Sequence, residues 1–226
     1  MEGLEILFED NHLIAVNKPG GMLVQGDKTE DTPLSEHVKE WIRMKYNKPG
    51  NVFCGVIHRL DRPVTGLVVL AKTSKGLERM NKLFLERKIQ KTYMALVLKK
   101  PPENEQVLVH WLKKDTEKNI TRAYERKQSG TKISQLEYKL LGRVGKNHLL
   151  KINLKSGRSH QIRAQLAKIG CPILGDVKYG YEGSNKGFIF LHAFQLAFEH
   201  PIKKQPVRIT AALPDEPFWN NFRQLV

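Results

Sequence analysis

One carboxylate in this sequence stands between two arginines in a short polar stretch. In the segment HRLDRPVTG (58–66), Asp61 lies two residues after Arg59 and directly before Arg62, with a short apolar run on either side. Such runs predict buried strands, and turns at strand ends often present reactive groups. Nearby cations favour the ionised carboxylate, which suits a nucleophile or a base. The local residues leave a simpler interpretation open, in which Asp61 only forms the turn and the arginines are solvated.

A second group of polar side chains lies in KSGRSHQIRAQLAKIGCPILGDVKYG (155–180). The pattern predicts a helix over 159–169, with Arg163 three residues after His160 and therefore on nearly the same face. Backbone amides at the start of this helix, together with Arg158, His160 and Arg163, could hold a phosphate or a carboxylate. The alternative is a basic amphipathic helix that packs its apolar side on a sheet. Both interpretations can hold, because the two faces differ.

Tyr93 is the third candidate, at the start of the predicted strand TYMALVL. A strand tyrosine usually belongs to a core or its rim, but an aromatic face beside a cationic cleft is what a flipped nucleobase needs for stacking. No Gly-rich phosphate loop, Ser/His/Asp order or metal-ligand spacing is present, and Cys54 and Cys171 stand far apart. We therefore expect neither a cofactor nor a metal.

The elements that must position these residues are many short strands and few helices. Helical spacing predicts helices over 33–46, from Ser74 onward and over 159–169, while the remaining apolar runs read as strands. This mixture predicts an α+β fold with a mixed, largely antiparallel sheet rather than a doubly wound one. We expect a single catalytic domain over 1–226 with a basic surface excursion near 103–132, in which VLVHWL is a candidate strand.

The charge balance predicts an anionic partner. The chain has 38 Lys and Arg against 23 Asp and Glu, a formal net charge of +15. Such a surface attracts polyanions, of which nucleic acid is the commonest. No apolar run approaches the length of a membrane span, and the N-terminal residues lack the basic region of a signal peptide. We expect a cytoplasmic protein, without membrane association, that works as a monomer.

Five segments in order resemble the RluA-like family of RNA pseudouridine synthases. They are LFEDNHLIAVNKPGGMLV, HRLDRPVTGLVVLAKT, KTYMALV, SGRSHQIRAQLAKIGCPILGD and LHAFQLAFEHP, and they extend from residue 4 to about 212. The resemblance implies the pseudouridine synthase fold, with a central catalytic cleft, and a cofactor-free isomerase that converts selected uridines of ribosomal or transfer RNA.

The resemblance also implies roles for individual residues. Asp61 would be the essential carboxylate, Tyr93 would stack on the uracil, and Arg163 would pair with Asp61 and orient it. Arg59 would enter the RNA helix and hold the target uridine flipped out, and Leu191 would pack against the other side of the base. Arg62, Arg158 and His160 are further candidates for RNA or substrate contact. Whether Asp61 attacks C1′ or removes the C2′ proton stays open.

Some departures and alternatives bear on the function. Because the resemblance begins at Leu4, we expect no N-terminal S4-type RNA-binding domain, so that target choice would rest on the catalytic domain and its insertions. One alternative is an inactive RNA-binding module of the same fold. Another is a nucleoside hydrolase, which needs a second catalytic carboxylate, and Asp176 is the candidate for that role.

Overall fold

The computed structural model describes residues 4–27, 29–184 and 187–226. In chain order the strands are β1 (Glu5–Glu9), β2 (Leu13–Lys18), β3 (Gly55–Val56), β4 (Thr65–Ala71), β5 (Gln90–Val97), β6 (Glu105–Asp115), β7 (Ile120–Tyr124), β8 (Lys132–Val144), β9 (Asn147–Leu154), β10 (Leu191–Glu199) and β11 (Pro206–Thr210). The helices are α1 (Leu34–Lys45), α2 (Ser74–Leu85), α3 (Gln161–Lys168) and α4 (Pro217–Asn220), and two 3₁₀ turns cover Val177–Tyr179 and Arg223–Leu225.

The chain forms two compact units. Unit 1 contains residues 1–89 and 193–212, and unit 2 contains residues 90–192 and 213–226. This division does not decide whether the two units act as one catalytic domain, so the single domain over 1–226 stays a prediction. Many strands with few helices, paired antiparallel within each unit, confirm the predicted α+β class.

Unit 1 is organised around two strands that are buried on both faces. β2 and β4 pair antiparallel, with Leu13 opposite Ala71, and β1 extends this pair beyond β2. β10 follows β4 in the sheet order and pairs antiparallel with β11. Met80 of α2 joins the apolar cluster formed by these strands. The apolar runs of β2 and β4 explain why every residue of β4 and all of β2 except Asn17 are buried.

Unit 2 is an antiparallel sheet in the order β5-β9-β8-β6-β7. The segment 103–132 is more regular than expected, because it forms the long strand β6 and the short strand β7, joined by a short turn. Its residues alternate between buried and exposed along β6, with Leu108, His110 and Leu112 inward. The predicted surface excursion is therefore a hairpin whose inner face belongs to the core of unit 2.

No helix within the described ranges is long and apolar enough to cross a bilayer. Among the helices described, α1 and α2 are the longest, with 12 residues each.

Candidate functional site

The turn that carries Asp61 connects β3 to β4 in unit 1. Leu60 and Val64 are buried and anchor it, while Asp61 between them is half-buried. The Val64 amide donates to the Asp61 carbonyl oxygen at 3.0 Å, which closes the turn. An apolar frame thus holds the Asp61 carboxylate in the turn between β3 and β4.

Gly66, the second residue of β4, allows the backbone to leave the Asp61 turn with a positive φ and to pass close to Ala193. Its φ is +110°, and a methyl group added there would lie 2.4 Å from the backbone oxygen of Ala193. Only glycine permits this combination of left-handed backbone and close strand approach.

The two arginines beside Asp61 differ in their engagement. Arg62 donates from Nε to the Gly21 carbonyl at 2.9 Å and from Nη2 to Asp31 at 2.6 Å, so that it joins the turn to the loop after β2. Arg59 is exposed, and its side chain has no hydrogen-bond or ion-pair partner in the described part of the chain. Of the two, Arg59 is therefore the more available for an external anion.

Lys18 is a site residue that sequence reasoning missed. Its side chain is buried, and Nζ donates to the carbonyl oxygens of Pro19 (2.8 Å), Met22 (2.9 Å) and Arg62 (3.2 Å). Burial lowers the pKa of Lys18 to about 7, an effect that the charge of Asp61 opposes and that of Arg62 reinforces. The signal was a lysine that ends an apolar strand immediately before Pro-Gly-Gly.

His58 has a structural role in the same turn. Its Nε2 accepts a hydrogen bond from the Val69 amide at 3.0 Å, and its ring stacks on Phe84 with centroids 5.0 Å apart. Because Nε2 accepts this bond, the ring proton of neutral His58 is on Nδ1. The first residue of the HRLD segment thus fixes the turn against β4 and α2.

In unit 2, Arg163 lies on α3 and is paired with Asp176, the residue that the hydrolase alternative needs as a second catalytic carboxylate. Nε donates to Asp176 Oδ2 at 2.7 Å and Nη2 to Oδ1 at 2.8 Å. The side chains of Arg163 and Asp176 are 5% and 1% exposed. The Tyr179 ring lies against the guanidinium, 4.8 Å from its centroid to Cζ. A bidentate buried pair of this kind has strict geometry.

This pairing bears on the hydrolase alternative. Both oxygens of Asp176 accept hydrogen bonds from Arg163, and the side chain is almost inaccessible to water. A hydrolytic acid or base must reach its water and exchange a proton with it. The geometry therefore disfavours Asp176 as a second catalytic carboxylate.

The start of α3 differs from the predicted helix over 159–169. His160 has a left-handed backbone, with φ 52°, so the helix begins at Gln161. His160 Nδ1 lies 2.8 Å from the Tyr179 hydroxyl. Since His160 and Arg163 both have protein partners, Arg158, which is exposed, is the member of the predicted anion-binding group best placed for an outside ligand.

Helix α3 also differs from the amphipathic helix considered as an alternative, because its polar residues are buried with its apolar ones. Gln161 donates to Gln165 at 3.0 Å and accepts from Ser156 at 2.9 Å, and Gln165 Nε2 lies 3.0 Å from His110 Nδ1. Burial lowers the pKa of His110. The helix is thus joined to β6 and β8 by a buried polar network, which rigidifies it when its members are satisfied.

Tyr93 and Leu191 both belong to unit 2, and each lies on a strand. Tyr93 is half-buried on β5, opposite Ile152 of β9, and Leu191 is buried at the start of β10. Their expected contacts with a uracil base stay predictions.

No cluster of three or more His, Cys, Asp or Glu side chains suited to a metal ion occurs among residues 4–27, 29–184 and 187–226. The cofactor-free expectation also stays a prediction.

Comparisons with known proteins agree with the resemblance. Residues 12–168 match the model of the RNA pseudouridylate synthase family. A tRNA pseudouridine synthase C of Vibrio cholerae serotype O1 is 31% identical over 231 residues, which cover 94% of this chain and 92% of that protein. A ribosomal large subunit pseudouridine synthase C of Yersinia pestis is 33% identical over 218 residues, which cover 93% of this chain and 66% of that protein.

The fold has a solved counterpart. The structure of human RNA pseudouridylate synthase domain containing 4 superimposes with a TM-score of 0.79 at 23% identity, covering 98% of this chain and 92% of the human one.

Proposed function

Because the chain belongs to the RNA pseudouridylate synthase family and is an RNA-modifying isomerase of that class, we propose that Asp61 carries its reaction on uridines of transfer or ribosomal RNA. The observation that supports Asp61 is its position: a half-buried carboxylate in a braced turn, with the exposed Arg59 two residues before it. Asp61 and Arg163 lie in the segments 58–66 and 159–163. Both segments fall within residues 12–168, which match the family model.

The proposed reaction balances without water or a cofactor. The N1–C1′ bond breaks, the uracil turns while it is held, and C5 forms the new bond to C1′. C5 loses its proton, and N1 gains one. One carboxylate suffices because no water is added, in contrast to glycoside hydrolysis, which normally uses two.

The remaining residues have proposed supporting roles. Arg163 would keep Asp61 ionised and oriented, Tyr93 and Leu191 would hold the two faces of the uracil, and Arg59 would fill the space that the flipped base leaves. Extruding the base costs a few kcal/mol of unstacking, which basic contacts offset. Arg62, Arg158 and His160 are proposed RNA contacts, although Arg62 and His160 also have structural partners. A cytoplasmic monomer stays our expectation.

The proposal is tested by tritium release from unmodified tRNA and rRNA transcripts labelled at uridine C5. Tritium must leave when C5 becomes the glycosidic carbon. Wild-type protein should release it, whereas Asp61→Ala and Asp61→Asn should slow release by more than about 10³-fold, with RNA affinity changed less than about threefold. The control, Asp215→Ala, removes an exposed acid of the C-terminal segment and should behave as wild type.

Three other outcomes of the tritium-release experiment would each contradict the proposal. Release by Asp61→Ala at the wild-type rate would refute the assignment of Asp61. RNA binding without release by any protein would support the inactive binding module, and free uracil in the products would support a hydrolase.

A further inference from the structure

The guanidinium of Arg163 is held by two side chains from one short turn that follows α3. Asp176 accepts two hydrogen bonds from one edge of the guanidinium, and these restrict its rotation within its own plane. Tyr179 covers one of its faces, with the ring centroid 4.8 Å from Cζ, which limits tilting out of that plane. Both contacts constrain the orientation of the cation.

Asp176 and Tyr179 belong to the same small rigid body. The Tyr179 amide donates to the Asp176 carbonyl oxygen at 3.0 Å across the 3₁₀ turn Val177–Tyr179. Gly175 opens this turn with φ +83°, where an added methyl group would lie 3.1 Å from the Phe188 carbonyl oxygen. The backbone of this turn thus connects Tyr179 directly to Asp176.

The position of the Tyr179 ring is itself held by contacts of its hydroxyl group. It accepts a hydrogen bond from the Thr121 amide on β7 at 2.7 Å and lies 2.8 Å from His160 Nδ1. The Thr121 hydroxyl donates to the Ser159 carbonyl oxygen at 2.9 Å, so β7 is bound to the residues before α3 as well. The left-handed backbone of His160 is an uncommon conformation for a non-glycine residue and is maintained by these surroundings.

We propose that Tyr179 is a positioning residue for Arg163: its hydroxyl, held by Thr121 and His160, sets the ring against which the guanidinium is aligned. This inference rests on the proposed function, in which Arg163 orients Asp61. Because Arg163 and Asp176 are buried, water cannot compensate for a displaced guanidinium. An error of about 1 Å at a positioning group can cost about 100-fold in rate.

The test compares Tyr179→Phe with the matched Tyr181→Phe, whose hydroxyl has no hydrogen-bond partner among the residues described. Tyr179→Phe keeps the ring and loses the hydroxyl contacts with Thr121 and His160. In the tritium-release assay on the same tRNA and rRNA transcripts, its kcat should fall by about 10-fold to 100-fold with KM within about threefold. Tyr181→Phe should match wild type.

A double-mutant cycle shows whether Tyr179 acts through Arg163. Lysine cannot reproduce the bidentate pair, so Arg163→Lys removes what Tyr179 would position. Adding Tyr179→Phe to Arg163→Lys should then change kcat by less than about twofold. A full additional loss would mean that Tyr179 acts elsewhere, and unchanged kcat in the single variant would leave it a purely structural role. Either result overturns the inference.

A measurement without substrate gives an independent answer. The Arg163 Nε–H resonance, identified by its loss in Arg163→Lys, reports directly on the pair with Asp176. Its hydrogen exchange should accelerate at least about 10-fold in Tyr179→Phe, and unchanged exchange would contradict the proposed alignment. If Asp61→Asn retained wild-type tritium release, the proposed function would fail while this measurement still decided the role of Tyr179.

Discussion

At the scale of single residues, Lys18 and Asp61 are two charged side chains that unit 1 removes wholly or partly from water. Lys18 is buried and offers three donors to three carbonyl oxygens, so its position is fixed by backbone partners. Asp61 is half-buried in a turn whose backbone those same contacts help to hold. The sequence indicated the carboxylate through its arginine neighbours. It did not indicate the lysine, because a strand-end lysine is ordinarily exposed.

A buried pair of acid and histidine joins the two ends of unit 1. Asp10 accepts from the His12 and Leu13 amides at 2.8 Å, and its Oδ2 lies 2.9 Å from His200 Nε2, although the two are not aligned as a hydrogen bond. Burial raises the pKa of Asp10, but the amides, Lys203 and His200 outweigh it, so the net pKa is lowered. Burial lowers the pKa of His200.

The sign of the pH dependence follows from these directions. Both groups have folded pKa values below their ordinary 3.8 and 6.5, so the unfolded chain binds more protons in acid. Stability should therefore fall as the pH drops below about 6.5 through His200 and further below about 3.8 through Asp10.

Asp10→Asn should destabilise the protein by about 2 kcal/mol at pH 7, because an amide NH₂ would face the donors of His200 and Lys203. The loss should shrink as the pH falls through and below 3.8, where wild-type Asp10 also becomes neutral. Urea unfolding across this pH range measures it, with the exposed Asp215→Asn as control. A pH-independent difference would contradict the assigned role of the carboxylate.

At the scale of elements, strand types were predictable where the apolar pattern was continuous, and boundaries were not. β2 and β4 coincide with their apolar runs, whereas the run 52–58 forms only the two-residue strand β3. The hairpin of β6 and β7 was underestimated because its exposed face is rich in Lys and Arg. Its inward residues, every second one along β6, were the signal that favoured a strand.

Gly66→Ala should test how closely β4 and β10 approach. The added methyl would meet Ala193 backbone and also require an unfavourable φ, so we expect a loss of about 3 kcal/mol or more in unfolding free energy. Gly145→Ala is the matched control: φ is +59° there, but nothing lies within 4 Å, so only about 1 kcal/mol is expected. Equal losses in urea unfolding would rule out the steric contribution.

At the scale of the whole molecule, the formal charge of +15 predicts RNA binding that depends on salt. The logarithm of the association constant for tRNA should fall steeply and linearly with the logarithm of the salt concentration. Replacing Lys113 and Arg122, an exposed cross-strand pair on the β6–β7 hairpin, with Gln should reduce that slope by about 1 to 2.

The control replaces Lys39 and Arg43 of α1 with Gln, since each is already paired with a glutamate of the same helix. Filter binding at several salt concentrations gives the slopes. If the affinity of the wild type did not change with salt, the electrostatic prediction would be wrong. Equal slopes for the two double variants would show that the β6–β7 hairpin does not contact the RNA.

The sequence by itself determined the α+β class and the family, and it predicted candidate site residues, because apolar periodicity and short motifs are local properties of the chain. It also placed Asp61 on a turn and Arg163 on a helix. The tertiary structure alone decided what each charge meets: three carbonyl oxygens for Lys18, and Asp176 and Tyr179 for Arg163. Such partners come from distant or irregular segments, and burial, which makes their geometry strict, is a property of the folded chain rather than of its residue order.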